Sequence, residues 1–109
     1  MSNELNVNEI AYGRLDPGEP VEIYYWNSDY GKHSRRASFF SVAPDPEIPF
    51  GGDVSIMVNP GKVDLQITDV WNTVWTNLKN QNTFQWNVRI INIGNQTSAY
   101  HLIQAETDN

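Results

Sequence analysis

Phe84, Trp86, Val88 and Ile90 recur at every second position, with polar Gln85, Asn87 and Arg89 between them. Successive side chains of an extended strand point to opposite faces, so this alternation predicts a half-buried β-strand. Gly94-Asn95-Gln96-Thr97 breaks the run, and Ser98 to Ala105 supplies a second extended segment. Phe84 to Glu106 therefore reads as one β-hairpin. Val54, Ile56 and Val58, then Val63, Leu65 and Ile67, alternate in the same way around Asn59-Pro60-Gly61-Lys62, and predict a second hairpin.

The same pattern recurs upstream. Leu5, Val7, Ile10 and Tyr12 change parity midway, which predicts a bulge or a short break within the first strand. Asp16-Pro17-Gly18-Glu19-Pro20 is a turn, with proline presetting φ and Gly18 taking the positive-φ position. In the strand that follows, Val21, Ile23 and Tyr25 share one face, and Glu22, Tyr24 and Trp26 the other. Residues 27–32 form a polar loop of the hairpin kind, leading into a strand from about Ser34 to Val42. Pro44, Pro46 and Pro49 with Gly51-Gly52 predict a crossover loop over 43–52, because proline lacks the ladder donor a central strand needs.

Residues 69–77 are less regular. Trp71 and Trp75 keep the parity of Leu65 and Ile67, while Val70 and Val74 take the opposite face. A long strand that changes sheets accounts for this; a short helical turn is the alternative, and the Val, Thr and Trp content favours the strand. Residues 77–83 are a polar loop. The sum is an all-β single domain, an antiparallel two-sheet sandwich of seven or eight strands, with a small β-barrel as the competing architecture.

Composition narrows function more by exclusion than by assignment. The 109 residues suffice for one domain, and 39% hydrophobic content with 12% aromatics argues against disorder. Cysteine is absent, which removes disulfides, thiolate nucleophiles and cysteine metal sites. No apolar run approaches the roughly 18 residues of a membrane span, so no membrane insertion is expected. No secretory signal is visible, so the expected location is cytoplasmic or exported without a cleavable leader. The net charge of −6 opposes nucleic-acid binding.

Val63-Asp64-Leu65-Gln66-Ile67-Thr68-Asp69-Val70 carries a D-L-x-I-x-x-V strand, and Asn92-Ile93-Gly94 ends a later strand ahead of Ala99. Over about residues 63–105 the chain resembles bacterial immunoglobulin-like β-sandwich domains of the cell-adhesion-related type. In those domains the D-L strand lies near the beginning, whereas here it comes past the middle of the chain. The resemblance implies a binding or spacer module without catalytic residues. Independently of it, Gly94 is expected to take positive φ at a hairpin tip, and Asn92 to bond to the turn backbone.

Candidate chemistry is sparse. His33, with Asp29, Ser34 and Ser38 near it in sequence, suggests a hydrolase triad only if the fold assembles one, and no nucleophile-elbow motif accompanies it. Asp45, Glu47 and Asp53 lack the spacing of a calcium loop. No enzymatic activity, metal or cofactor is expected. A basic cluster, Lys32-His33-Ser34-Arg35-Arg36, follows Tyr24, Trp26 and Tyr30. Tyr24, Trp26, Tyr30, His33, Arg35 and Arg36 are the candidate ligand-binding residues, an aromatic shelf beside cations. Trp71, Trp75 and Trp86 fit either a core or, with the surrounding asparagines, a carbohydrate site. The expected function is a non-catalytic protein-interaction or assembly module, engaging a protein partner or another copy of itself. A lectin-like glycan binder is the alternative.

Overall fold

The computed structural model describes residues 5–27, 38–47, 61–76 and 82–107. They form six strands and no helix: β1 (Leu5–Leu15), β2 (Pro20–Asn27), β3 (Ser38–Pro46), β4 (Leu65–Thr76), β5 (Asn82–Asn92) and β6 (Ser98–Thr107). Two antiparallel three-stranded sheets result, ordered β1-β6-β3 and β2-β5-β4. Among the described residues the strands do not close into one barrel.

The inner faces meet in a core of Leu15, Val88, Ile90, Tyr100 and Leu102, with Ile10, Val21, Ile23, Phe40, Val42, Leu65 and Ile67 packed around it. Phe40 of one sheet lies 5.3 Å from Trp86 of the other, ring centre to ring centre, and Phe84 meets Trp86 edge-on. Trp86 is thus a core residue. Its indole Nε1 is buried without a hydrogen-bond partner.

The chain changes sheets after β1 and again after β5, and the second change overturns the predicted β5–β6 hairpin. β5 pairs with β2 and β4, while β6 pairs with β1 and β3. Residues 93–97 are a crossover. They are held by backbone bonds from Ile93 to Asp64 and from Asn95 and Gln96 to the Lys62 carbonyl. That segment explains Gly94. Its φ is not positive; a Cβ there would overlap the Lys62 carbonyl, so glycine is needed for close backbone approach. Asn92 behaves as expected, accepting from the Gly94 N–H at 3.0 Å.

Gly18 does take positive φ, at 82°, and the Glu19 N–H bonds to the Asp16 carbonyl at 3.0 Å. This turn carries the chain from β1 into the opposite sheet. β2 and β3 likewise lie in different sheets, so the connection between them is no hairpin; its residues 28–37 are outside those described. The hairpin that does form joins β4 to β5, with Thr76 opposite Asn82.

Two boundaries shift. Residues 43–46 belong to β3 rather than to a crossover loop, with Pro44 opposite Tyr100 and Pro46 opposite Ser98. β3 is an edge strand among the described residues, so a proline can sit there with its missing donor turned away from the ladder. Residues 48–52, and Val54, Ile56 and Val58 of the predicted second hairpin, lie outside the described residues. Val63 precedes β4 rather than belonging to it.

Both β1 and β4 carry bulges. The register against β6 shifts between Glu9 and Ala11, where the apolar pattern changes parity. The register against β5 shifts between Ile67 and Asp69. The extra residue, Thr68, reverses which face the rest of β4 presents. Val70 and Val74 come to the inner side opposite Val88 and Phe84, and Trp71 and Trp75 go to the outer side. The strand stays in one sheet throughout, and the helical alternative is excluded.

Candidate functional site

The outer face of β2-β5-β4 carries Tyr24, Trp71 and Trp75, aromatic residues that the core does not use. Register places Tyr24, Asn87 and Trp71 in one row across the three strands, and Glu22, Arg89 and Asp69 in the next. Tyr24 is 52% exposed, Trp71 39% and Trp75 52%. Beneath them Gln85 and Asn87 are buried, although both are polar and on the outer side of the sheet.

Burial of amides is tolerable only if they are bonded, and these are. The Gln85 amide donates to the Asn87 side-chain oxygen. Asn87 donates in turn to the Trp71 carbonyl at 3.2 Å and to the Thr73 hydroxyl at 2.9 Å. Trp75 Nε1 donates to Gln85 Oε1 at 2.9 Å. Tyr24 Oη donates to Glu22 Oε2 at 2.7 Å. That bond stabilises the neutral phenol and raises the Tyr24 pKa above its usual value. The polar tips of Tyr24 and Trp75 are therefore turned to neighbours within the face.

Arg89 lies 4.0 Å from Asp69, a loose pair. Beside it a depression of about 190 Å³ is lined by Pro20, Val21, Glu22 and Arg89. Of the asparagines around the tryptophans, Asn87 is occupied within the amide ladder and Asn72 holds the register position opposite Trp86, while Asn77 and Asn80 lie outside the described residues.

Of the six candidate ligand-binding residues, Tyr24 is on this face, opposite in sense to Val21, Ile23 and Tyr25 as strand parity requires. Trp26 holds a register position opposite Gln85. Tyr30, His33, Arg35 and Arg36 lie outside the described residues. Trp71, Trp75, Glu22, Arg89 and Asp69 join Tyr24 instead. Strand pairing and the Thr68 bulge bring them together, and neither is written in local sequence.

The outer face of β1-β6-β3 differs. Val7, Ala105 and Phe39 form one row, Glu9, Ile103 and Ser41 the next, and Tyr12, His101 and Ala43 a third. Leu5, Val7, Tyr12 and Phe39 are all exposed. His101 Nδ1 bonds to Glu9, and Nε2 lies 3.9 Å from Asp45. The Glu9 bond is the main cause of a raised His101 pKa, with both carboxylates adding to it. Carboxylates on both sides leave the ring no nitrogen directed at a hydroxyl, so the arrangement is not that of a hydrolase triad.

Glu47 pairs with Arg14 at 2.5 Å, and Arg14 also reaches Asp16 at 3.1 Å. The Glu47 hydrogen bond is the first cause of a raised Arg14 pKa. Among the described residues no three side chains of His, Cys, Asp or Glu are grouped to hold a metal ion, and no helix is long and apolar enough to cross a membrane. Comparison of the chain with protein-family models, with curated proteins and with solved structures found no match.

Proposed function

We propose that this chain is a non-catalytic assembly module, an immunoglobulin-like β-sandwich of seven or eight strands that associates with another copy of itself. The reading rests on one imbalance. Among the described residues six hydrophobic side chains are buried, whereas ten large ones are exposed. Scattered exposed apolar residues are ordinary, but a contiguous set is not.

On β1-β6-β3 such a set is contiguous, with Val7 at 61% and Phe39 at 59% exposure flanking Ala105 across all three strands, and Ile103 in the adjoining row. The same face carries Arg14 in the row of Ala99 and Asp45, with Glu9 two rows away. An isologous contact can therefore bury the apolar end while pairing charges of both signs. Edge pairing along β3 is disfavoured by Pro44 and Pro46. The sheet changes after β1 and after β5 support the immunoglobulin-like part of the reading.

Sedimentation from micromolar to millimolar concentration tests the proposal. The native chain is expected to self-associate, and Val7→Lys or Phe39→Ser to weaken this at least tenfold without lowering the melting temperature. A strict monomer over the whole range would remove the proposal.

A further inference from the structure

We infer that the outer face of β2-β5-β4 is a binding platform for a neutral oligosaccharide, separate from the self-association face on the other sheet. A glycan offers two chemistries at once, apolar C–H faces on its rings and a rim of hydroxyls. The platform offers the complement of each.

Tyr24, Trp71 and Trp75 are between two-fifths and about half exposed. Tyr24 and Trp75 are pinned by their own polar atoms, through Oη to Glu22 and Nε1 to Gln85. What they leave to solvent is chiefly ring carbon, held in place before any ligand arrives. A surface that stacks on sugar rings requires this, because a ring already fixed loses little rotamer entropy on binding. The amide ladder of Gln85 and Asn87 supplies the rigidity. It is buried and internally bonded, so it holds the rings and does not itself contact a ligand.

One row away, Glu22, Arg89 and Asp69 provide carboxylate acceptors around a guanidinium donor, matched to hydroxyls that both donate and accept. Arg89 is held only loosely by Asp69, and the depression at Pro20, Val21, Glu22 and Arg89 gives one sugar unit a recess. Length also decides. Asp69 and Trp75 lie on one strand with the span of six residues between them, about 20 Å at the rise of a β-strand. That suits several linked pyranoses better than one.

Charge selects among polymers. The chain carries a net charge of −6, and the platform row has two carboxylates to one guanidinium, so polyanions are repelled. A neutral glycan fits these features, and nucleic acids and sulfated polysaccharides do not.

The test is calorimetric titration of the whole chain with soluble neutral oligosaccharides of four to six pyranose units, in glucan, xylan and mannan series. Heparin serves as the anionic comparison, and indole fluorescence is followed in parallel. One neutral series is expected to bind, with Trp71→Ala and Trp75→Ala each weakening it at least tenfold and Tyr24→Phe changing it by less than threefold. Phe39→Ser, on the other face, is expected to leave glycan affinity unchanged. Because Trp75→Ala also removes a bond to Gln85, melting temperatures accompany each titration; Tyr24→Ala, which breaks no hydrogen bond to Gln85 or Asn87, is the second ring-removing variant and is expected to weaken binding to a similar degree. Binding unchanged in Trp71→Ala and Tyr24→Ala would overturn the inference. So would heparin binding as tightly as the neutral series, or no binding by any neutral series at millimolar concentration. Loss of self-association in Trp71→Ala, with Phe39→Ser still associating, would assign this face to a protein contact and overturn it equally.

Discussion

Asn92 donates its side-chain amide to the carbonyl of Leu15 at 3.1 Å, across a separation of 77 residues and from one sheet to the other. The same amide reaches the Gln96 carbonyl at 2.9 Å, and its oxygen takes the Gly94 N–H. Asn92 is fully buried and so is its bond to Leu15, so the Leu15 carbonyl has no water to fall back on. One side chain thus fastens the end of β1 and the β5–β6 crossover. Asn92→Ala is expected to destabilise the fold by about 2 to 4 kcal/mol, since it takes the donor from the buried Leu15 carbonyl and removes two further bonds to the crossover. Asn92→Asp is expected to cost at least as much, because a carboxylate cannot donate to either carbonyl. Urea unfolding followed by tryptophan fluorescence gives both values, and an unchanged midpoint would mean that the clamp is not structural.

Two glycines are required for different reasons, and asparagine separates them. At Gly18 nothing lies within 4 Å of an added Cβ, and the constraint is positive φ alone. Asparagine visits that region more readily than alanine, so Gly18→Asn should cost less than Gly18→Ala, which is expected to lose about 1 to 2 kcal/mol. At Gly94 the obstacle is the Lys62 carbonyl, and any side chain meets it. Gly94→Ala and Gly94→Asn are both expected to cost about 2 kcal/mol or more, by overpacking. Four thermal melts decide the matter; if asparagine rescues position 94 as well as position 18, the close-approach account of Gly94 is wrong.

What the sequence disclosed was local. Period-two alternation located the strands around Val21, Val88 and Leu102, because a side chain's face is decided by its immediate neighbours. The Asp16–Glu19 turn was legible for the same reason, with Pro17 and Gly18 in the positions their backbone preferences dictate. Pairing was not legible. Phe84 to Glu106 looks like a hairpin because adjacent strands usually pair, yet the 93–97 segment bonds to Lys62 and Asp64 and hands the chain to the other sheet. The two bulges make the same point. In β1 the apolar residues themselves change parity at Ile10, so the irregularity shows in the pattern. In β4 Trp71 and Trp75 stay in phase with Leu65 and Ile67, so nothing announces that Thr68 is extra. The candidate site was legible at Tyr24, and at Trp71 and Trp75 only as one of two open readings, since those two reach its face through the bulge.

Deleting residues at the bulge tests that account directly. Without Thr68 alone, Asp69 would follow Ile67 in regular register, and Val70 and Trp71 would keep their places opposite Val88 and Asn87. The single deletion is therefore expected to cost less than about 2 kcal/mol and to leave tryptophan emission unshifted. Deleting Thr68 and Asp69 together moves the rest of β4 by one more position, so that Trp71 and Trp75 turn inward and Val70 and Val74 turn out. Large indoles cannot enter a space already filled by Phe84, Val88 and Trp86 without displacing them. The double deletion is therefore expected to cost more than about 4 kcal/mol or to abolish cooperative unfolding. A single deletion as damaging as the double one would show that Thr68 is not the extra residue of the ladder.

His101 should make stability depend on pH near neutrality. It sits on the central strand of its sheet, with Glu9 from β1 and Asp45 from β3 on its two nitrogens and Tyr12 directly opposite. Its folded pKa is raised above the ordinary 6.5, chiefly by the Glu9 bond, so the protonated ring favours the folded state. The contribution is complete below pH 6.5 and fades as pH climbs through the raised folded value; above that the neutral ring no longer draws the two carboxylates. The ring is well exposed, so salt weakens the effect. Melting temperature should fall as pH rises from 6 to 9, and His101→Asn should flatten this part of the profile. Titrating the ring protons by NMR supplies the independent reading. A midpoint at or below 6.5 in the folded chain would contradict the assignment, whatever the melts showed.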